Sequence, residues 1–263
     1  MTKKLSLLGI ILFIIVCGTV GCVLIKSDAF HPAPTVSEGE GTSSEEIESN
    51  QEEESSAIKE QDSEQDDRFF NTNSLLIIAN KKHALPEGYE PSDLRQVNVP
   101  INTNQWQMRE EAASALEKMF AAAAEDGITL SACSGYRSEA YQSELYNSYV
   151  QKYSVERADA ISSRPGYSDH QTGLAMDIGD HDQATVFTEA MENTPEGQWL
   201  YVHAHEYGFI LRYPKGKEEI TGYAYEPWHY RYVGVEPATA IYTVSPDETM
   251  EEYFKLAGGN YLE

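Results

Sequence analysis

From residue 69 onward, apolar positions recur at spacings that switch between the helical and the extended period. Across residues 105–126, Ala112, Leu116, Met119, Phe120 and Ala123 fall three or four apart, which predicts an amphipathic helix stopped by Gly127. Residues 128–133 read as a strand, and Ser138 is placed to cap a helix running to about Lys152, with Glu139 in its first turn. A further helix is expected over 155–163, closed by Pro165-Gly166. Residues 199–207 predict a helix stopped by Gly208, followed by a strand over 209–213. Short strands are expected over 75–79 and 228–233. Helices and strands follow in irregular order, so the pattern predicts a single α+β domain over 69–263, with helices flanking an antiparallel sheet.

The first 68 residues carry a different pattern. Lys3 and Lys4 precede an apolar run from Leu5 to Ile25 that suits a secretion signal and is also long enough for a membrane-spanning helix. Cys22 follows Thr19-Val20-Gly21, a loose version of the box that precedes a lipid-modified cysteine. Residues 1–25 are therefore expected to act as a signal, a membrane anchor or a lipoprotein signal. Each version places the rest of the chain outside the cytoplasm, tethered to the cell membrane in the first instance. Residues 26–68 are rich in Ser, Glu, Gln and Asp, and positions 38–67 hold thirteen acids against one base, Lys59. Such a segment has too little apolar surface to offset its ordering entropy, so a disordered acidic linker is expected there.

This heterogeneity changes what the net charge means. The 263 residues carry 43 acids against 19 Lys and Arg, a formal charge of -24, and half of that excess belongs to the linker. The remaining domain is still acidic, which excludes a nucleic-acid-binding surface built on Lys and Arg. Three cysteines, two of them within the first 22 residues, exclude a disulfide scaffold and a Cys-rich zinc module. Cys133 has no partner and reads as a small buried residue.

Three clusters carry candidate chemistry. In Ser168-Asp169-His170-Gln171-Thr172-Gly173-Leu174-Ala175-Met176-Asp177, an extended backbone from Thr172 puts Gly173, Ala175 and Asp177 on one face. Leu174, Met176 and Ile178 then share the other. Small residues beside a His and an Asp leave room for an ion and a substrate, although a half-buried strand with a surface His and Asp reads the same way. In Glu226-Pro227-Trp228-His229-Tyr230-Arg231-Tyr232-Val233, Pro227 biases Glu226 toward an extended conformation, and a tight turn there brings Glu226 and His229 to one cavity. Two His and one Asp are three ligands of the kinds zinc accepts, with a fourth position left for water and Glu226 free as a non-ligand carboxylate. A surface Glu-x-x-His pair is the alternative. In Ser134-Gly135-Tyr136-Arg137-Ser138, Arg137 stands at a strand-to-helix junction, where it either enters a cleft or sits on the surface beside a helix cap.

Together the three clusters resemble the zinc D-alanyl-D-alanine carboxypeptidases of the vancomycin-resistance type, over most of residues 75–235 and in the same order. The resemblance implies one catalytic zinc ion held by His170, Asp177 and His229, with Glu226 as general base and Arg137 stabilising the carbonyl oxygen. It implies Gln142, Ser168 and Tyr213 in the substrate pocket, and peptidoglycan stem peptides as the substrate. Family frequency favours removal of the last D-Ala of a pentapeptide (D,D), with a tetrapeptide (L,D) as the alternative. A non-catalytic wall-peptide-binding module would use the same cleft, but the intact Glu226 counts against it. A monomer is expected, with Arg137 and Arg231 beside the metal to receive an anionic peptide terminus. His31, His83, His181, His203 and His205 lie outside the clusters and are expected to be solvated or structural.

Overall fold

The computed structural model describes residues 67–101, 105–182 and 184–261. The expected anchor, lipidation site Cys22 and acidic linker lie outside these residues. Among the described residues, no helix is long and apolar enough to cross a membrane.

The centre of the domain is a four-stranded antiparallel sheet in the order β3-β4-β6-β5, formed by Leu130–Ser134 (β3), Ala175–Asp180 (β4), His229–Tyr232 (β6) and Phe209–Leu211 (β5). Two short strands, Leu94–Gln96 (β1) and Gln107–Arg109 (β2), pair antiparallel outside it. The long helix Glu110–Glu125 (α1) follows β2 directly and buries Ala112, Leu116, Met119, Phe120 and Ala123, the stripe its spacing predicts. That stripe shares one core with Leu174, Met176, Ile178, Tyr230 and Tyr232 of the sheet. Full burial of each large side chain contributes roughly 1.5–3 kcal/mol. A smaller core gathers Phe69, Ile78, Ile210, Val233, Ile241 and Met250 under the helix Val235–Val244 (α6).

On the opposite face run Glu139–Lys152 (α2) and Val155–Ile161 (α3), each capped by a serine side chain, Ser138 and Ser154. The helix Pro195–His203 (α4) continues through a 3-10 turn to Tyr207 and stops at Gly208, whose φ of 87° is the left-handed conformation a helix stop requires. Glu218–Thr221 (α5) and Met250–Phe254 (α7) are short.

Two expected elements differ. Residues 75–79 form no strand. They run as a non-ladder segment, partly buried at Leu75 and Leu76 and buried from Ile77 to Ala79, in which the carbonyls of Leu75 and Ile77 accept from the Arg231 guanidinium, so a side chain replaces the neighbouring strand. The helix expected from residue 105 starts at Glu110, because Gln107–Arg109 is used as β2.

Candidate metal centre

Sheet register builds the centre. Asp177 on β4 lies directly opposite His229 on β6, so their side chains rise from neighbouring positions on one face. His170 comes from a different element, the 3-10 turn Asp169–Thr172, closed by Gly173 at φ 68°. The three side chains converge with one potential ligand atom each, all within 4.8 Å of one another, and all three residues are buried. The His170 and His229 rings meet edge to face with centroids 4.6 Å apart.

Each ring is oriented by its second nitrogen. Nδ1 of His170 is 2.9 Å from the carbonyl oxygen of Gly135, which turns Nε2 toward Asp177 Oδ2 at 3.4 Å. Nδ1 of His229 faces Asp177 Oδ1 at 3.3 Å and Glu226 Oε2 at 3.4 Å, while Nε2 lies 3.2 Å from Asp169 Oδ2. Asp169 is in turn held by Arg231, whose guanidinium also reaches the Leu75 and Ile77 carbonyls. A histidine backed by a carboxylate or a carbonyl is the usual support of a metal ligand.

Burial and charge set the proton affinities. Burial lowers the His170 imidazole to about 4, with Arg137 adding to it, so this ring is neutral at pH 7 and able to ligate. Burial alone would raise the Asp177 carboxyl, but His170, His229 and Arg137 together hold it well below the usual carboxylate range. Burial likewise opposes charge on His229, and the hydrogen bonds its ring N–H groups donate to Asp169, Asp177 and Glu226 overcome it, raising the imidazole well above its ordinary value. Glu226 goes the other way: burial raises it, and the His229 hydrogen bond offsets only part of that.

Two imidazole nitrogens and one carboxylate form a donor set that zinc accepts. Asp177 Oδ1 is buried with no well-aligned hydrogen-bond donor, its nearest polar neighbour being His229 Nδ1 at 3.3 Å, an arrangement that a cation between the three side chains would relieve. The residues therefore fit the metal.

The remaining expected site residues divide. Glu226 reaches the centre through the turn Glu226–His229, in which the His229 N–H donates to the Glu226 carbonyl at 3.1 Å. Arg137 donates to Ser134 Oγ at 3.0 Å and to Asp177 Oδ2 at 2.8 Å, and its side chain still faces the cavity. Ser168 and Tyr213 line that cavity, of about 700 Å³. Gln142 does not line it. Fully buried behind the wall, its amide nitrogen donates to Ser162 Oγ and the Ser163 carbonyl, two residues that do. Arg231 is also corrected: it is wholly buried against Asp169 and cannot receive a peptide terminus. Asp169 escaped notice because it occupies an unassigned position between Ser168 and His170, and nothing local shows that a strand 60 residues later needs it. Cys133 is buried as expected, with its thiol pushed up to about 12 by burial, so it is not a nucleophile. His205 stacks on Tyr242 and His203 on Trp199, away from the centre.

The family described as VanY, D-alanyl-D-alanine carboxypeptidase, matches residues 105–235. The protein YodJ of Bacillus subtilis (strain 168) is 44% identical over 189 residues, covering 70% of this chain and 68% of that protein. The solved LdcB LD-carboxypeptidase superposes with a TM-score of 0.66 at 43% identity, covering 71% of this chain and 88% of that one. A vancomycin-resistance D,D-pentapeptidase VanY, solved in complex with Zn(II), gives a TM-score of 0.57 at 33% identity, covering 67% and 97%.

Proposed function

The chain belongs to the VanY family of D-alanyl-D-alanine carboxypeptidases and is a zinc-dependent carboxypeptidase; from that premise we propose that it removes the C-terminal D-alanine from peptidoglycan stem peptides. His170, Asp177 and His229 hold the ion in this reading. The observation that carries it is the convergence of one potential ligand atom each from His170, Asp177 and His229, all within 4.8 Å of one another, beside a cavity wide enough for a peptide.

When bound, zinc supplies a Lewis acid that polarises the scissile carbonyl and acidifies the attacking water. Glu226 takes the water's proton on Oε2 and returns it to the leaving amine of D-alanine. Arg137 donates its remaining N–H groups to the carbonyl oxygen as negative charge builds there, an effect of roughly 3–4 kcal/mol on the barrier. Ser168 and Tyr213 border the peptide. Tyr213 packs edge to face on His229 with centroids 4.7 Å apart, which also limits how far that ring can swing.

On the choice of bond, we propose the L,D reaction on tetrapeptide stems, against the D,D expectation drawn from family frequency. Support comes from the 43% identity to an LD-carboxypeptidase against 33% to a D,D-pentapeptidase. The D,D reading keeps its own support in the family's D-alanyl-D-alanine description. Zinc-loaded enzyme incubated with tri-, tetra- and pentapeptide muropeptides decides by mass. Loss of alanine from the tetrapeptide alone is the expected result, loss from the pentapeptide alone supports D,D, and no loss from any rejects the substrate. Such a substrate lies outside the cytoplasm, which supports the proposed tethering through residues 1–25. Membrane fractionation of wild type and Cys22→Ala separates a lipid anchor from a spanning one.

A further inference from the structure

The cavity extends well beyond the metal centre. Its far wall is made by Tyr141, Leu145 and Tyr149 of α2 with Arg157 and Ile161 of α3. Each set is spaced by four, so each lies along one face of its helix. Gln142 is the only buried residue of α2, so this aromatic and aliphatic stripe faces the cleft instead of a core, and Tyr141 is 39% exposed.

Arg157 stands out along this wall. Among the described residues lining the cavity, Arg137 and Arg157 supply the guanidinium groups, and Arg137 is already committed to Asp177. Arg157 has no carboxylate within ion-pair distance among the described residues, in a protein with 43 acids; its recorded hydrogen bond is from its backbone N–H to Ser154 Oγ. The acids of its own helix are engaged elsewhere: Asp159 with Arg164 and Tyr146, and Glu156 with Ser154. An aromatic and aliphatic stripe beside an unpaired guanidinium on the neighbouring helix suits a ligand that offers packing surface to the one and a free carboxylate to the other.

We propose that Arg157 and the Tyr141–Leu145–Tyr149 stripe form a subsite for the acyl part of the substrate, with the guanidinium pairing a free carboxylate upstream of the scissile bond. This rests on the stem-peptide reading above. The wall and the metal centre line one continuous cavity, and an extended tetrapeptide spans at most ~14 Å. A stem peptide offers that carboxylate from two sources. A γ-linked glutamate at its second position leaves an α-carboxylate free, and a dicarboxylic diamino acid at its third position leaves one on its side chain.

The test uses full-length zinc-loaded enzyme and three synthetic stem peptides: one with both carboxylates free, one amidated at the second residue, and one amidated at the third. Wild type is expected to lose about tenfold in kcat/KM, mainly through KM, on one of the two amidated peptides, which names the source. In Arg157→Gln that preference collapses to near unity, and Arg157→Lys restores part of it by keeping the charge without the fork. Equal rates on all three peptides with wild type, or a preference that persists in Arg157→Gln, overturn the subsite while leaving the carboxypeptidase reading intact. Failure of wild type to cut any of them overturns both. Arg157 is exposed on a helix, so its replacements do not threaten the fold.

Discussion

The ring of His229 is pinned from behind by Asp169, Nε2 to Oδ2 at 3.2 Å, leaving Nδ1 to face Asp177 and Glu226. The two nitrogens thus have separate tasks, Nε2 positioning the ring and Nδ1 facing the place where the ion would sit. Asp169→Asn keeps the shape but removes the negative charge that fixes the ring's tautomer. Zinc affinity is expected to fall by about 10–100-fold, measured by competition with a chromogenic chelator. The absorption spectrum of the cobalt-substituted protein should shift with it. Unchanged affinity and spectrum would show that Asp169 does not orient His229.

Arg231 makes a contrasting case. It is buried completely, pairs with Asp169 and ties down the carbonyls of Leu75 and Ile77. Replacing it with Met leaves the buried Asp169 charge with only His229 Nε2 at 3.2 Å and Arg212 Nε at 4.0 Å, and a loss of up to about 3–5 kcal/mol in unfolding free energy is expected from denaturant titration. A stable Arg231→Met enzyme whose only defect is a raised KM would put the side chain back in the substrate pocket.

The contrast shows what the chain makes legible. Helix α1 and the Ser138 cap follow from spacing and residue type alone, because both depend on neighbours within a few positions. The ligand trio is legible because a His, two small residues and an Asp sit within eight positions, and the second His follows a Pro that sets the turn. Arg231 and Gln142 were placed in the pocket because local pattern says which face a side chain leaves from, not what waits there. Arg231 meets a carboxylate from another element, and Gln142 meets the loop at Ser162 and Ser163. The segment 75–79 differs for the same reason: Ile77, Ile78 and Ala79 are buried as a strand's residues would be, but the Ile77 carbonyl is taken by the Arg231 side chain and the Ile78 N–H by the Phe69 carbonyl, not by a neighbouring strand.

Gly135 carries a third prediction. Its carbonyl sets the His170 ring, and a Cβ added there would lie 2.5 Å from the Gln107 carbonyl oxygen and 2.9 Å from the Met176 methyl. The backbone oxygen cannot give way without disturbing β2. Gly135→Ala is expected to cost about 1–3 kcal/mol of stability and to displace the carbonyl that orients His170. Thermal unfolding together with zinc stoichiometry checks both. A variant with wild-type stability and full zinc content would show that the loop has slack the packing denies.

Glu226 links proton affinity to rate. Burial raises its carboxyl above the ordinary value near ~4.3, and the His229 hydrogen bond recovers only part. A general base works only when deprotonated, so kcat/KM of the zinc-loaded enzyme should climb with pH along an acid limb that belongs to Glu226. Glu226→Gln should lose that limb and turnover by about 10²–10⁴-fold while keeping its zinc, since Glu226 is outside the group of three residues that could hold the ion. The same shift acts on stability with a definite sign. A carboxyl whose folded pKa is raised contributes fully below its unfolded pKa and loses that contribution as pH rises through the folded value. Metal-free Glu226→Gln should therefore be more stable than metal-free wild type at pH 7, and the gap should close in acid, where the wild-type carboxyl is neutral as well. Paired melting curves at pH 4 and pH 7 read this directly. A gap that widened in acid would mean that Glu226 is stabilised as the anion in the folded protein, contrary to its burial.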